Sequence, residues 1–162
     1  MRTKTGASPR LILLYILTAA GLTLWIAAII LAPFLSARRS PAGSFLYSCF
    51  APLCHQRPDR SFSLAGWPLA VCARCFGIYL GAWAGVMAYP FMRGFSDVRL
   101  PRLRTFLLLS VPLAADAVGN LSGLWSSVNV LRFLTGILWG TILPFYFLTG
   151  LGEWVAFRGR KT

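Results

Sequence analysis

All four cysteines and the single histidine of this 162-residue chain fall between Cys49 and Cys75. Cys49 stands first, then Cys54-His55-Gln56-Arg57-Pro58-Asp59-Arg60-Ser61-Phe62, then Cys72-Ala73-Arg74-Cys75. Cys54, His55, Cys72 and Cys75 supply three thiolates and an imidazole, the donor set of a tetrahedral zinc site. Cys49 is a possible further ligand, which in place of His55 makes the site all-thiolate. Iron is the redox-active alternative for the same ligands. Cys72 and Cys75 are three apart on a predicted helix, so both thiols point to one side.

The same residues support other chemistries. Thiols facing an oxidising compartment commonly pair as structural disulfides. A CxxC at a helix amino terminus has a lowered thiol pKa, as in disulfide oxidoreductases. Four cysteines on a small helical membrane bundle also resemble, in architecture, the quinone-coupled disulfide-forming enzymes. Haem fits poorly: Cys54-His55 departs from the usual C-x-x-C-H spacing, and no second axial ligand is placed.

These residues must be positioned by very apolar elements. The chain is 57% hydrophobic and 12% charged, about half the charged fraction of a soluble domain. Four apolar stretches, at approximately 11–35, 68–92, 105–125 and 130–152, each approach or exceed the roughly 20 helical residues that span a hydrocarbon core. A backbone in lipid must satisfy its own hydrogen bonds, which makes these stretches helices. The expected fold is all-α: one membrane domain over 1–162, a four-transmembrane-helix bundle with an outer loop at 36–67. The first stretch is too long for a cleaved signal peptide, and no small-x-small site follows it.

Charge placement orients the bundle. Ten Lys or Arg fall at the amino terminus (Arg2, Lys4, Arg10), after the second span (Arg93, Arg99, Arg102, Arg104) and at the carboxyl end (Arg158, Arg160, Lys161). Only Arg38, Arg39, Arg57 and Arg60 lie in the loop on the opposite side. By the positive-inside rule both termini are cytoplasmic. The Cys/His loop then faces the periplasm or exterior of an inner (plasma) membrane. The net charge of +12 is interleaved with apolar spans, which points to anionic lipid headgroups and not to nucleic acid.

Gly77, Gly81 and Gly85 repeat every fourth residue in the second span, as do Gly136 and Gly140 in the fourth. Small residues at this spacing let membrane helices approach closely. The short connection after Trp125 is expected to join the fourth helix tightly to the third. Trp67, Trp125 and Trp154 sit near span ends as interfacial anchors. Within the spans, Arg74, Asp116, Asn120 and Arg132 form a buried polar layer, because an intramembrane carboxylate is costly unless paired or protonated. Asn120 lies one turn beyond Asp116, Asn129 is placed to cap the fourth helix, and either arginine can reach Asp116. The layer is a structural ion pair or lines a polar cavity beneath the thiols. Arg57 and Arg60 are candidates to contact an anion or a lipid headgroup.

The run from Cys54 to Phe62, with Cys72-x-Arg74-Cys75-x-Gly77-x-Tyr79-x-Gly81, resembles an uncharacterised family of small predicted bacterial and archaeal integral membrane proteins, a domain of unknown function. The likeness continues through Pro112-x-x-x-Asp116 and Asn129-x-x-Arg132-x-x-x-Gly136-x-x-x-Gly140. It implies a small helical membrane protein with Cys54, His55, Cys72 and Cys75 as the core set.

Other chemistries are excluded by composition. One histidine leaves no HExxH protease, and four acids leave no paired-carboxylate glycosidase or magnesium cage. No phosphate-binding loop or dinucleotide fingerprint is present. The resulting expectation is a membrane protein with a Cys/His transition-metal site, zinc before iron, at its outer face. The alternatives are a thiol–disulfide oxidoreductase coupled to quinone, and a non-catalytic accessory subunit bound to another membrane protein. Whether the chain is an enzyme is left open by its residues.

Overall fold

A computed structural model describes residues 9–93 and 102–158. Arg2, Lys4, Arg99, Arg160 and Lys161, which enter the orientation count, lie outside the described residues, as does the side chain of Trp154. The described chain is mostly helical: α1 (Pro9–Ala37), α2 (Pro41–Phe50), α3 (Ala73–Arg93), α4 (Leu103–Leu121) and α5 (Asn129–Arg158). Two of these, α1 and α5 over Asn129–Leu151, are long and apolar enough to cross a membrane, with mean hydropathies of 2.2 and 1.5. α3 and α4 are 21 and 19 residues long and carry polar groups within, Arg74 in one and Asp116 and Asn120 in the other.

Each of the four long helices holds one internal proline: Pro33, Pro90, Pro112 and Pro144. Such a residue removes a backbone hydrogen bond and costs about 3 kcal/mol inside a water-exposed helix. Membrane helices tolerate it, because neighbouring helices and Ser/Thr side chains re-satisfy the freed carbonyls.

The expected outer loop is partly ordered structure. α1 ends in a tight reversal at Arg39, which takes a positive φ of 54°, and Ser40 N–H donates to Leu35 O at 3.0 Å. Pro41 then opens α2, its preset φ suiting the first helical turn. Beyond α2 come a 3-10 turn, Pro58–Arg60, and a two-residue antiparallel hairpin, β1 (Ser63–Leu64) with β2 (Trp67–Pro68). Ala65 and Gly66 turn it with φ of 52° and 78°, the left-handed pair that two-residue hairpins need. The helix of the second expected span, α3, starts at Ala73, not near Pro68: Leu69, Ala70 and Val71 form a buried, bent lead-in.

α3 packs on α5 far more extensively than any other pair of elements meets. A Cβ on Gly77, Gly81 or Gly85 would strike the backbone of Phe133, Ile137 or Thr141, and one on Gly136 or Gly140 would strike that of Arg74 or Ile78. Both glycine series therefore belong to one seam, with the two backbones in direct contact. α4 contacts α5 much less, although the connection at 122–128 is short. Adjacency in sequence did not give the tightest packing, because α4 offers bulky Leu and Val where α3 offers glycine. Two apolar clusters flank the seam. One gathers Ile29, Phe50, Cys54, Leu69 and Val71 near the hairpin, and the other holds Val86, Tyr89, Phe145 and Leu148 towards the opposite end.

Candidate metal centre

Three of the four cysteines converge. Cys72 immediately precedes α3, where its carbonyl accepts from Phe76 N–H at 2.9 Å, and Cys75 lies in the first turn. Cys54 follows α2, held by its N–H to Phe50 O at 3.1 Å. The sulfurs of Cys54, Cys72 and Cys75 all lie within 4.8 Å of one another. Sulfurs sharing a tetrahedral zinc at about 2.3 Å sit about 3.8 Å apart, so a small closure accommodates one ion.

What brings Cys54 to α3 is a residue whose type gives no chemical signal. Gln56, at a φ of 49°, donates through Nε2 to Tyr47 O at 2.7 Å and Ala70 O at 2.8 Å. It clamps the end of α2 to the lead-in segment before α3. Tyr47 adds a second tie, its hydroxyl donating to Pro68 O. Neither residue was singled out from the sequence. Gln56 lies inside the Cys54–Phe62 motif, but a lone glutamine carries no spacing rule.

One sulfur of the cluster, Cys54, is poised to hold charge, while its hydrogen bond to Cys72 raises the Cys72 thiol above the usual range. Cys72 N–H donates to Cys54 Sγ at 3.2 Å. The Cys54 thiol is held far below the usual thiol range, first by side-chain hydrogen bonds from Cys72 and Cys75 and then by that backbone donor, with burial opposing them. A sulfur so stabilised as thiolate is what a soft metal ion binds.

The other two expected ligands stand apart from this trio. Cys49 is exposed on α2, and His55 is exposed beside Cys54; neither belongs to the converging group. His55 nevertheless lines the same cavity as the three cysteines, a half-open space of about 380 Å³.

The polar layer lies against this cavity. Arg74 forms an ion pair with Asp116, which is buried at 4% exposure. Asn120 Nδ2 reaches Asp116 Oδ1 at 3.1 Å and Ser127 Oγ at 2.7 Å. Its Oδ1 accepts from Arg132 Nη2 at 3.0 Å, and Arg132 Nη1 donates to Asn129 Oδ1 at 3.0 Å. Asn129 in turn donates to Ser61 O at 3.2 Å, tying the start of α5 to the cysteine loop. The arginines divide the work: Arg74 meets Asp116, while Arg132 reaches the amides of Asn120 and Asn129. Arg74, off the cysteine face by helical angle, still borders the thiol cavity. Ser127 and Ser61 were not expected in this network. Arg57 and Arg60 flank Asp59 at the surface, at 3.2 and 3.7 Å.

Comparison with known proteins places this chain in a family. Residues 54–146, more than half the chain, match the model of a family described as predicted membrane protein (DUF2085). The chain belongs to that family. The matched region begins at the first of the converging cysteines and takes in α3, α4 and the first half of α5. An uncharacterized protein of Methanocaldococcus jannaschii is 43% identical over 103 residues, 64% of this chain and 66% of that protein. The chain thus matches slightly less than two thirds of that relative's length. An uncharacterized protein of Methanothermobacter thermautotrophicus is 41% identical over 88 residues, covering 54% of this chain and 78% of that protein. No solved structure matches.

Proposed function

We propose that the protein is a multi-pass component of the inner (plasma) membrane whose Cys54, Cys72 and Cys75 bind a transition metal, zinc before iron. The whole chain forms one domain of four spans, α1, α3, α4 and α5, with both termini cytoplasmic and the cysteine loop outside. The observation that carries the reading is the convergence of three partly buried sulfurs from two separate segments. His55, on the same cavity, is the protein group available to fill the fourth position, and Cys49 is a reserve thiol. Four protein ligands make a structural site tying the loop to α3; an open fourth position exposes the ion to the cavity. The membrane topology is supported by the family, by the internal prolines and by the apolar surfaces of α1 and α4.

Metal analysis of detergent-purified protein, combined with thiol alkylation, tests the site. The expected result is about one metal per chain, with Cys54, Cys72 and Cys75 protected until a chelator is added while Cys49 labels freely. Cys54→Ser should remove most of the bound metal. Metal-free protein whose thiols label only after reduction overturns the reading in favour of disulfides. That outcome leads to the second reading, a quinone-coupled thiol–disulfide oxidoreductase, which the placement of Cys72 and Cys75 at the start of α3 supports. There, two thiols pass two electrons and two protons to a quinone as the disulfide forms.

A further inference from the structure

Besides the three cysteines and His55, the cavity is lined by Arg57, Arg60, Arg74 and Arg132. They come from three elements: the loop after α2, the first turn of α3 and the first turn of α5. Among the described residues, the carboxylates in contact with these arginines are Asp59 and Asp116, which leaves two of the four positive charges uncompensated there. A divalent ion held by three thiolates takes up one of them and leaves the other. Burying unbalanced charge is expensive, and Arg132 is only 7% exposed. Hydrogen-bond donors are also unused. Arg60 Nε and Arg74 Nε are both buried without a hydrogen-bond partner among the described residues, the Arg60 atom standing 3.7 Å from Asp59. The positive ends of two helices, α3 and α5, border the same space and add to its attraction for anions.

We propose that this cavity binds a phosphate-bearing anion beside the metal centre, with Arg60, Arg74 and Arg132 as its ligands. Guanidinium groups that three elements bring to one cavity, beyond the contacts Arg74 makes to Asp116 and Arg132 to Asn120 and Asn129, suit a tetrahedral oxyanion, which presents acceptors on every side, better than a planar carboxylate. A volume of about 380 Å³ holds a phosphate together with a small organic group. The same chemistry is offered by a soluble phosphate ester or inorganic phosphate and by the headgroup of an anionic phospholipid. Arg57 stands at the rim, paired with Asp59, and contributes less. This deepens the metal reading and shares its cavity, but the arginines bind an anion whether or not the ion is loaded.

The test is inorganic phosphate titrated by calorimetry into protein in a neutral detergent, with chloride at matched ionic strength. Alongside it, native mass spectrometry follows lipid retained from vesicles of phosphatidylcholine with or without phosphatidylglycerol. Saturable phosphate binding identifies a free anion, and selective retention of phosphatidylglycerol identifies the headgroup. In either arm Arg60→Gln should weaken binding by about tenfold, the loss of one charge-assisted contact, with metal content unchanged. Arg60 is half-exposed, so this variant folds. Absence of binding in both arms overturns the proposal, as does binding at the parent level by both Arg60→Gln and the Arg57→Gln/Arg60→Gln double variant. Metal-free protein that still binds phosphate through Arg60 would sink the metal reading alone.

Discussion

The α3–α5 seam and the outward faces of α1 and α4 are built on opposite rules. In the seam, glycines bring two backbones together, and 44% of the most apolar stretch of α5 is buried. In α1 the corresponding share is 6%. α4 goes further: its buried residues are Asp116 and Gly119, while Leu108 and Val118 are 71% and 62% exposed. A helix in water buries leucine and displays aspartate. The inversion in α4 follows when the surrounding solvent is hydrocarbon, where the carboxylate must find a partner and leucine need not hide. Backbone approach and polar pairing then join the two buried apolar clusters in holding the bundle together, with the apolar residues of α4 and most of α1 serving as its surface.

The largest effect is expected from breaking the seam. Gly81→Leu drives a branched side chain into the Ile137 and Thr141 backbone, which cannot swing aside as a side chain would. A loss of about 4 kcal/mol or more is expected, read as loss of the folded species in a detergent-denaturation titration. If Gly81→Leu melts like the parent protein, the two backbones do not touch. Next is the polar pair. Asp116→Ala leaves the half-buried Arg74 guanidinium beside no carboxylate and should cost about 3 kcal/mol. Adding Arg74→Leu should restore most of that loss, since the stranded charge goes with it. A double variant no better than the single one would mean that Asp116 acts through Asn120 and Ser127 instead.

How much of this was visible beforehand differs between the two regions. The glycine series in α3 and α5 could be read because a four-residue repeat has one common use in apolar helices; their shared seam needed three dimensions. Arg74, Asp116, Asn120 and Arg132 stood out because each is polar within an apolar run, and they do join in one hydrogen-bonded chain, of which Arg74 and Arg132 line the cavity. At the cysteine pole, residue type identified the thiols, and three of them converge. Which donors join them depends on backbone detail. The positive φ at Gln56 and its double clamp fix where Cys54 sits, and His55, one residue along, is exposed on the cavity lining outside the converging trio. α2 and the hairpin were read as loop because their apolar runs are too short to mark a helix or strand. The fourfold arginine lining was hidden because its members lie up to seventy-five positions apart, from Arg57 to Arg132.

The smallest expected effect separates lipid from protein as the covering of α1. Gly21 lies in the middle of α1, and an added Cβ there meets nothing within 4 Å, whereas the same methyl at Gly81 meets backbone on every near contact. Gly21→Ala removes backbone freedom from the unfolded chain, a gain of up to about 1 kcal/mol in water. Within a membrane the helix is largely formed before it packs, so the expected shift falls to within about 0.5 kcal/mol in either direction. Gly81→Ala, measured in the same detergent, should be clearly destabilising, by about 1–3 kcal/mol. If lipid covers α1, this contrast should be unchanged when the protein is extracted gently in native-membrane discs. A Gly21→Ala cost that appears only in such discs would show that a second polypeptide packs against α1 there, making the open face of this helix a contact with a membrane partner.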